Sequence, residues 1–533
     1  MRFKYGIDFG TTNTSIAVCQ KIDGRDKPDI LSVSELGNRL TMPSVIYIDD
    51  INTEGYSVGD DAIQDARTGK FRYGVEHVKL VKKIKLDLEE KKYNALYSVG
   101  NRNVNIIQMI SFIFKHLKQS ADLQADILIS DMTYDGVVLG VPVEFGDIEK
   151  GILAEALYLA GFYKSNEEAQ KKTEFVSEPI AVAIQYGLNL EDDQRVLVFD
   201  FGGGTLDIAI IDLKNQVNID KLHPHKALAK KRITLGGEEL TKLFFTEVVA
   251  QAYDLSDICT AYKIPYSHDP EKVWYSLLND SETGYELIDA VEHIKQDLSD
   301  RTVAKLHTQG ILDAKRFERE DFEYAIRDKL DEIKVLIDDC IMEAGFCVNN
   351  HIDVTEIDTV VLAGGSSLIP CVQELLRKKF GFAKLKAGKP LDVLTSIVQG
   401  LSIVGMKEDS IVSDVVDNDY GIWDDDRNCF LRVIEKGIPV SETRFDRITQ
   451  NGKYQQIETS KKNARDVKIQ VFQNNLNGIT HIGNIHFNDV GSGNYKLFMS
   501  VDAKKGTLSV NLYDVVQRRW NEIPIDQSEF KIK

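Results

Sequence analysis

Cysteine and proline are scarce in this chain, at 6 and 11 of 533 residues. The cysteines are scattered without a Cys-x-x-Cys pair, which argues against a zinc site or a disulfide framework. No apolar run approaches the roughly 18 residues that a membrane-crossing helix needs, and the N-terminal residues show no signal-peptide core. We therefore expect a reduced, cytoplasmic protein that does not bind membranes.

Positive charge is also in short supply. The chain has 65 Lys and Arg against 83 Asp and Glu, so its net charge is −18. This balance argues against nucleic acid or an anionic membrane as the main partner. The usual phosphate loop, G-x-x-x-x-G-K-S/T running into a helix, does not occur in the sequence. Any phosphate site must be built in another way.

Two short stretches that nearly repeat each other offer such a site. In residues 5–12 and 198–205, an apolar run ends in Asp-Phe-Gly, glycine or threonine residues follow, and a β-prone apolar run resumes. This pattern predicts a strand, a tight turn and a strand, made twice. Glycines let backbone N–H groups and Thr hydroxyls come close to an anion, so each hairpin can hold phosphate oxygens.

Asp8 and Asp200 end the first strand of each hairpin. Two carboxylates beside a polyphosphate need a cation between them, most simply Mg²⁺ with its water shell. One such turn alone would more simply be an ordinary hairpin with an Asp at its rim. The near-duplication favours the phosphate-binding alternative.

The chain around these hairpins divides into four parts. Residues 1–405 alternate strands and helices, and their repeated plan predicts two similar lobes with a ligand cleft between them. The acidic stretch 406–419 is typical of an interdomain linker, and short alternating strands over 420–520 predict an antiparallel β-sandwich. The tail that follows, 521–533, is too short for a helical domain.

Five motifs, in their order along the chain, resemble those of the heat-shock protein 70 chaperone family, the DnaK type, within the actin-like ATPase superfamily. They are a phosphate motif, a Glu-Pro segment, a second phosphate motif, a Leu-Gly-Gly segment and an adenosine motif, at 5–13, 176–188, 198–207, 233–238 and 361–370. The resemblance covers nearly the whole chain. It implies an α/β two-lobed actin-like ATPase domain, which is a duplicated ribonuclease-H-like fold, followed by an antiparallel β-sandwich domain. The family's helical lid has no counterpart, so we expect a lidless, divergent member.

The resemblance also implies a site for ATP or ADP with Mg²⁺, and K⁺ is a further candidate ion. The hydrated Mg²⁺ would be held by Asp8, Asp200 and Asp207. The nucleotide contacts would come from Gly10, Thr11, Thr12, Asn13, Gly202, Gly203, Gly204, Glu292, Lys295, Ser299, Gly364, Gly365 and Ser366.

The catalytic residues that the resemblance implies are Lys79, Glu178, Asp200 and Thr205. Glu178 would orient the attacking water, and Lys79 would stabilise the γ-phosphate. These roles suit phosphoryl transfer to water, which needs charge neutralisation and an aligned nucleophile. Lys82 is the second candidate for the lysine. Without the resemblance, Lys79 could be a solvated charge and Glu178 an acid at a helix start.

The adenosine side departs from the family pattern. Glu292, Lys295 and Ser299 fall on one helical face, as the family's base and ribose contacts do. Gln296 and Leu368, however, stand where the common pattern has arginines. Because the loss of a guanidinium stacked on a base removes on the order of 1 kcal/mol, we expect weaker or altered nucleotide affinity.

The β-sandwich region resembles the family's peptide-binding domain. Val467 and Ile469 would fall on the strand that lines the peptide groove, although either could be plain sandwich core. The loop 424–428 is acidic where the family has small and apolar residues, which argues against ordinary hydrophobic-peptide capture. Residues 414–417, Asp-Val-Val-Asp, could dock the linker onto the ATPase domain.

These features together predict an ATP-dependent chaperone relative that slowly hydrolyses ATP to control the binding of an unfolded polypeptide or partner protein. The resemblance adds a J-domain protein and a nucleotide-exchange partner. One alternative is a nucleotide-binding regulatory or scaffold subunit, a co-chaperone with little or no hydrolysis. The other, a small-molecule kinase of the same superfamily, lacks a recognisable acceptor site.

Overall fold

The computed structural model describes most of the chain between residues 2 and 525. At some positions, Lys79 and Val467 among them, it describes the backbone alone. The described ranges are 2–22, 25–31, 33, 39–48, 55–69, 79–90, 92–93, 95–99, 102–128, 132–143, 145–188, 190–214, 225–279, 283–308, 310–349, 351–386, 390–407, 412–424, 428–440, 455–458, 464–475, 478–490, 494–502, 504–505, 507–514, 519–523 and 525.

The first part of the chain, which we call the first unit (2–188), is organised around one main mixed sheet, and some of its strands form smaller separate sheets. Its strands are β1 (Arg2–Phe9), β2 (Asn13–Ile22), β3 (Arg25–Ile30), β4 (Met42–Pro43), β5 (Ile46–Ile48), β6 (Tyr56–Val58), β7 (Lys79–Val81), β8 (Leu96–Val99), β9 (Arg102–Asn105), β10 (Thr133–Val141) and β11 (Glu174–Ser177). Its helices are α1 (Gly59–Gly69), α2 (Ile84–Glu89), α3 (Ile106–Leu128), α4 (Asp147–Leu159), α5 (Asn166–Lys172) and α6 (Glu178–Gly187). The main sheet has the order β11-β10-β1-β2-β3, with β4 paired to β2.

The next part, the second unit (194–407), has a sheet of its own. Its strands are β12 (Gln194–Phe201), β13 (Leu206–Leu213), β14 (His225–Ile233), β15 (Val303–Leu306), β16 (Lys315–Glu318), β17 (Cys347–Val348), β18 (His351–Ile352), β19 (Thr359–Ala363) and β20 (Leu385–Lys386). Its helices are α7 (Gly237–Phe244), α8 (Ala250–Tyr253), α9 (Leu255–Ala261), α10 (Pro270–Asn279), α11 (Gly284–Asp300), α12 (Arg319–Glu343), α13 (Pro370–Phe380) and α14 (Pro390–Val404). A π-helical stretch, Phe245–Val249, joins α7 to α8.

The two sheets follow one plan. The order β11-β10-β1-β2-β3 in the first unit corresponds to β20-β19-β12-β13-β14 in the second. In both, the first strand pairs antiparallel with the second and parallel with the strand on its other side. Helices cover both faces, so β1 and β12 are buried along most of their length. The two hairpins therefore occupy equivalent places in the two units.

Two helices, α6 and α14, lie where the units meet. α14 packs against α6 and against β1, β2 and β3. A β-carbon at Gly400 of α14 would overlap the backbone carbonyl of Ala181 in α6, and one at Gly6 of β1 would lie 2.5 Å from the backbone nitrogen of Ser402. The backbones thus touch at positions where no side chain fits.

A segment that joins the second unit to the rest of the chain, the joining segment (412–418), lies against the second unit. Its strand β21 (Val412–Ser413) pairs parallel with β14. Asp414 and Asp417 both pair with Lys230 of β14, at 2.8 and 2.6 Å. Val415 and Val416, between the two carboxylates, are buried. The four residues 414–417 therefore contribute both ion pairs and apolar contacts.

The last part of the chain, the β-sandwich (419–523), consists of two antiparallel four-stranded sheets. Its strands are β22 (Asp419–Asp424), β23 (Cys429–Ile434), β24 (Gln455–Glu458), β25 (Ala464–Asn475), β26 (Gly478–Val490), β27 (Asn494–Val501), β28 (Leu508–Asp514) and β29 (Arg519–Ile523). The sheet orders are β23-β22-β25-β26 and β24-β27-β28-β29. The last strand continues past the boundary predicted at residue 520. None of the helices in the described ranges of the chain is long and apolar enough to cross a membrane.

The β-sandwich packs against the first unit. Asp147, the first residue of α4, accepts hydrogen bonds from the Tyr420 hydroxyl at 3.3 Å and from the Leu508 N–H at 2.9 Å. The N–H of Phe175 in β11 donates to the carbonyl of Lys504 at 3.1 Å. Apolar side chains of both parts belong to one continuous core. The contact thus combines buried polar pairs with shared apolar packing.

Candidate active site

The two hairpins close with the same hydrogen bond. The N–H of Gly10 donates to the carbonyl of Asn13 at 3.0 Å, and the N–H of Gly202 donates to the carbonyl of Thr205 at 3.0 Å. Asp200 of β12 faces Asp207 of β13 across its hairpin. The sequence repeat therefore corresponds to a repeat of backbone geometry.

The turns of the two hairpins touch each other. A β-carbon at Gly203 would overlap the hydroxyl of Thr12, and one at Gly204 would lie 2.6 Å from the hydroxyl of Thr11. The glycine turn of the second unit thus lies against the threonine turn of the first. Between them, the turns present hydroxyls and glycine backbone at one place where the two units meet, which suits anionic oxygens.

A third backbone element supports the second turn. The N–H groups of Gly237 and Glu238, at the start of α7, donate to the carbonyls of Gly202 and Gly203 at 3.0 and 2.9 Å. A β-carbon at Gly236 would overlap the Gly203 carbonyl. The Leu-Gly-Gly segment is therefore needed for close packing, and its backbone hydrogen bonds support the turn.

Four carboxylates converge beneath these turns: Asp8, Glu178, Asp200 and Asp207. All four residues are buried, with 8%, 5%, 4% and 1% of their surface exposed. Burial raises the pKa of Asp8 to about 7, and the charge of Glu178 adds to the rise. Burial and the neighbouring carboxylates raise the pKa of Asp200 well above its usual value. The pKa of Asp207 is also raised to about 7 by burial, although the Arg232 guanidinium opposes the rise. A cation in this place would be strongly favoured.

A lysine that sequence reasoning missed lies among these carboxylates. Lys85 Nζ donates to Glu178 Oε1 at 2.6 Å, and both side chains are buried. Burial alone would lower the pKa of Lys85, but the charges of Glu178 and Glu89 outweigh it and leave the pKa raised. Lys85 therefore stays positively charged beside the carboxylate that was expected to orient water.

Neither of the two lysines predicted from sequence, Lys79 and Lys82, is seen beside Glu178 in the described part of the chain. Lys82 pairs with Asp289 of α11 at 2.6 Å, with both groups about a quarter exposed. Lys79 is in β7, opposite Ile48, and its side chain lies outside the described part. In the short helix α2, Lys85 and Glu89 lie one turn apart on the same buried face, but four lysines lie close together here and the sequence alone did not single out Lys85.

The residues expected on the adenosine side form one network. Lys295 Nζ donates to the carbonyl of Gly237 at 2.7 Å and to the hydroxyl of Thr241 at 2.9 Å, and it pairs with Glu292 at 2.7 Å. Gln296 donates to the other Glu292 oxygen at 3.0 Å. Ser299 bonds back to its own helix through the carbonyl of Lys295. Sequence reasoning missed Thr241, which also bonds to Glu292.

The glycines of the adenosine motif face the second hairpin. Gly364 has φ of 73°, and a β-carbon there would overlap the Phe201 carbonyl. The hydroxyl of Ser366 donates to the Gly202 carbonyl at 2.8 Å. Gly365 lies at ordinary contact distance from Leu394. Motifs far apart in sequence are thus brought to one turn.

The two groove residues expected in the β-sandwich lie on β25. Ile469 is half-buried and packs against the sandwich core. It lies opposite Ile485 of β26, and Val467 lies opposite Phe487. The side chain of Val467 and residues 425–427 of the acidic loop lie outside the described part. The packing of Ile469 is compatible with either a core or a groove position.

The cleft suits a hydrated magnesium nucleotide. Within the described ranges, no three His, Cys, Asp or Glu side chains are grouped closely enough to hold a metal ion alone. Asp8, Asp200 and Asp207 nevertheless supply hard oxygen donors, whose pKa values are raised chiefly by burial and further by neighbouring carboxylates. Mg²⁺ usually keeps several waters and takes phosphate oxygens as further ligands, so a complete protein cage is not required.

Nucleotide binding with Mg²⁺ is expected to depend on pH, because the metal needs ionised carboxylates. Asp8 and Asp207 have pKa values raised to about 7, so metal binding displaces protons below that pH. The affinity should therefore fall as the pH drops below this value, by up to about tenfold per pH unit for each proton displaced. Titrations with Mg·ATP across this range measure the slope. Asp8→Asn is the control, since it keeps the nucleotide's own titration, and an unchanged slope in it would contradict the assignment.

Comparison with models of known protein families identifies the family of this chain. A family model described as "Hsp70 protein" matches residues 4–532, which is essentially the whole chain. The match includes both hairpins, the adenosine motif and the β-sandwich, and it confirms the family that the five motifs predicted. This chain therefore belongs to the Hsp70 family.

Proposed function

We propose that this chain binds ATP with Mg²⁺ in the cleft between the two units and hydrolyses it to ADP and phosphate, as an actin-like ATPase domain linked to a substrate-binding β-sandwich. Members of the Hsp70 family are generally chaperone ATPases that bind ATP or ADP with Mg²⁺. The observation that carries the proposal is the buried Lys85–Glu178 pair, which lies among the carboxylates of both hairpins. A fixed cation beside a carboxylate is the combination that phosphoryl transfer to water needs, which supports the proposal.

The chain's own residues would divide the work in the following way. The turns of the two hairpins, with the hydroxyls of Thr11, Thr12 and Thr205, bind the phosphates and exclude bulk water. Glu178 holds and orients the attacking water, and Lys85 holds Glu178 and offsets negative charge on the γ-phosphate. Bound Mg²⁺ would neutralise phosphate charge when held by the three aspartates.

Single-turnover hydrolysis tests the proposal. Glu178→Ala and Thr205→Ala should each lower the rate by on the order of 100-fold, because each removes a group that positions water or phosphate. The exposed Glu167 of α5 offers a matched acid, and Glu167→Ala should leave the rate unchanged. Equal rates in wild type and in both site variants would leave only a binding role.

That binding role is the second candidate function. In a regulatory or scaffold co-chaperone, the bound nucleotide would set the arrangement of the domains without being hydrolysed. The adenosine side favours this alternative, since Gln296 and Leu368 replace expected arginines and Gln296 bonds to Glu292. Nucleotide binding without turnover would support it.

The β-sandwich would bind an unfolded client or partner protein, with Ile469 and Val467 as the proposed contacts. A J-domain protein and a nucleotide-exchange partner would act on the ATPase cycle, as is typical of the family. Turnover measured with and without a panel of unfolded peptides tests this part. Stimulation that is lost in Ile469→Asp would support it, and equal stimulation of that variant would contradict it.

A further inference from the structure

The backbone of Val143 is held from two sides by the second unit. Its N–H donates to Asp207 Oδ1 at 3.0 Å, and its carbonyl accepts from Arg232 Nη1 at 3.3 Å. Val143 itself belongs to the first unit, where it closely follows β10, and it is fully buried. Because both of its backbone polar groups are paired in this way, Val143 cannot shift away from the second unit without losing both bonds.

Arg232 makes three further contacts at this place. Its Nη2 lies 2.6 Å from Glu89 Oε2, its Nε lies 3.8 Å from Asp207 Oδ1, and its guanidinium lies 5.9 Å from the ring centre of Phe145. The side chains of Arg232 and Glu89 are only 9% and 4% exposed, so solvent screens their attraction little. Glu89 lies one turn after Lys85 on the same face of α2. The guanidinium thus joins the helix of Lys85 to the strand of Asp207.

A residue close to Val143 in the chain contacts the β-sandwich. Asp147, four residues after Val143, accepts from the Tyr420 hydroxyl and from the Leu508 N–H. Val143 is therefore tied to the strands that carry Asp207 and Arg232. Asp147 is tied to the β-sandwich.

We propose that Arg232 is a positioning residue that sets the catalytic groups and the β-sandwich contact together. It holds α2, and with it Lys85, against the second unit, and it holds the backbone of Val143, four residues before the Asp147 that meets the β-sandwich. An arginine suits this place because its planar fork can serve several acceptors at once, whereas a lysine offers one point charge. The catalytic half of the proposal rests on the proposed ATPase function, and the other half rests on the interdomain contacts alone.

The test compares Arg232→Met, Arg232→Lys and Glu89→Gln with a matched control, Lys231→Met. Lys231 is the neighbouring cation of β14, and it pairs instead with Glu343 of α12. Two quantities are measured in the full chain with Mg·ATP. One is hydrolysis, separated into kcat and KM, and the other is the rate at which a protease cleaves the joining segment.

Arg232→Met should lower kcat by on the order of 100-fold and change KM by less than about threefold, because a small displacement of Lys85 misplaces the catalytic charge without removing phosphate contacts. It should also raise the cleavage rate by about tenfold or more. Val143 loses one of its two anchors, so a smaller fraction of the molecules keeps the β-sandwich in contact with the first unit. Arg232→Lys should recover part of both quantities because it keeps the charge. Lys231→Met should leave both within about twofold.

Loss of hydrolysis without faster cleavage, or equal losses in Lys231→Met, would overturn the proposal. If Arg232→Met does not fold, Glu89→Gln weakens the same ion pair from the side of the first unit, and the same two measurements decide. If the wild-type protein binds ATP without hydrolysing it, the proposed ATPase function fails. Cleavage of the joining segment in the Arg232 variants then supports or overturns the positioning role by itself.

Discussion

Lys85→Met is expected to remove most ATP hydrolysis, lowering the single-turnover rate by about 100- to 1,000-fold. Lys85 is buried, and its Nζ lies 2.6 Å from Glu178 Oε1. In a site that excludes water, a fixed charge of this kind acts with little screening on the charge that develops during phosphoryl transfer. Single-turnover measurement with saturating Mg·ATP is the appropriate assay, because it separates the chemical step from product release.

Stability and catalysis can be separated in this experiment. Removing Lys85 alone leaves Glu178 without its buried cation, whereas Glu89 keeps its ion pair with Arg232, and an uncompensated buried charge costs about 3–5 kcal/mol. Adding Glu178→Gln removes the stranded charge, so the double variant should regain much of the lost stability. It should regain none of the lost rate. Recovery of the rate along with stability would show that Lys85 has only a structural role.

The neighbouring lysines provide matched controls. Lys82 pairs with Asp289 in a partly exposed place, so Lys82→Met should change the rate by no more than about threefold. Lys79→Met tests the residue first expected from sequence. A larger loss of rate from Lys79→Met than from Lys85→Met would return the catalytic role to Lys79.

Lys230→Met is expected to release the joining segment from the second unit. Lys230 is 2% exposed and pairs with both Asp414 and Asp417, and its pKa is raised by these carboxylates in spite of burial. Without it, two partly buried carboxylates, with side chains 28% and 19% exposed, lose their direct partner, a cost that is avoided when the segment returns to water. Protease cleavage between residues 406 and 419 should therefore become much faster.

Rescue and control variants make this experiment specific. Lys230→Met combined with Asp414→Asn and Asp417→Asn removes the stranded charges and should slow cleavage again. Lys226→Met removes an exposed lysine of the same strand and should have no effect. Cleavage that stays slow in Lys230→Met would mean that apolar packing of the two valines, and not the ion pairs, holds the segment.

Much of the site followed from local patterns in the sequence. A glycine-containing turn between two apolar, β-prone runs is typical of a hairpin. The hairpins around Asp8 and Asp200, and their similarity to each other, could therefore be predicted. The family followed from the order of five such motifs.

The residues that were missed act through contacts distant in sequence. Lysines occur at positions 79, 82, 83 and 85, and no local pattern shows which of them turns inward. Arg232 lies in a basic strand that is typical of a solvated edge, yet it is buried because α2 and the segment after β10 cover it. Both assignments depend on how the two units pack, which a single sequence does not state.

The backbone contact at Gly400 has a mechanical consequence. Because α6 and α14 touch there without intervening side chains, the first and second units can turn about this line but have no layer of flexible atoms along which to slide. A turning motion separates points in proportion to their distance from the axis. Two ion pairs join the units, Lys82 with Asp289 and Lys83 with Glu238. Rotation of the units away from each other would break both pairs.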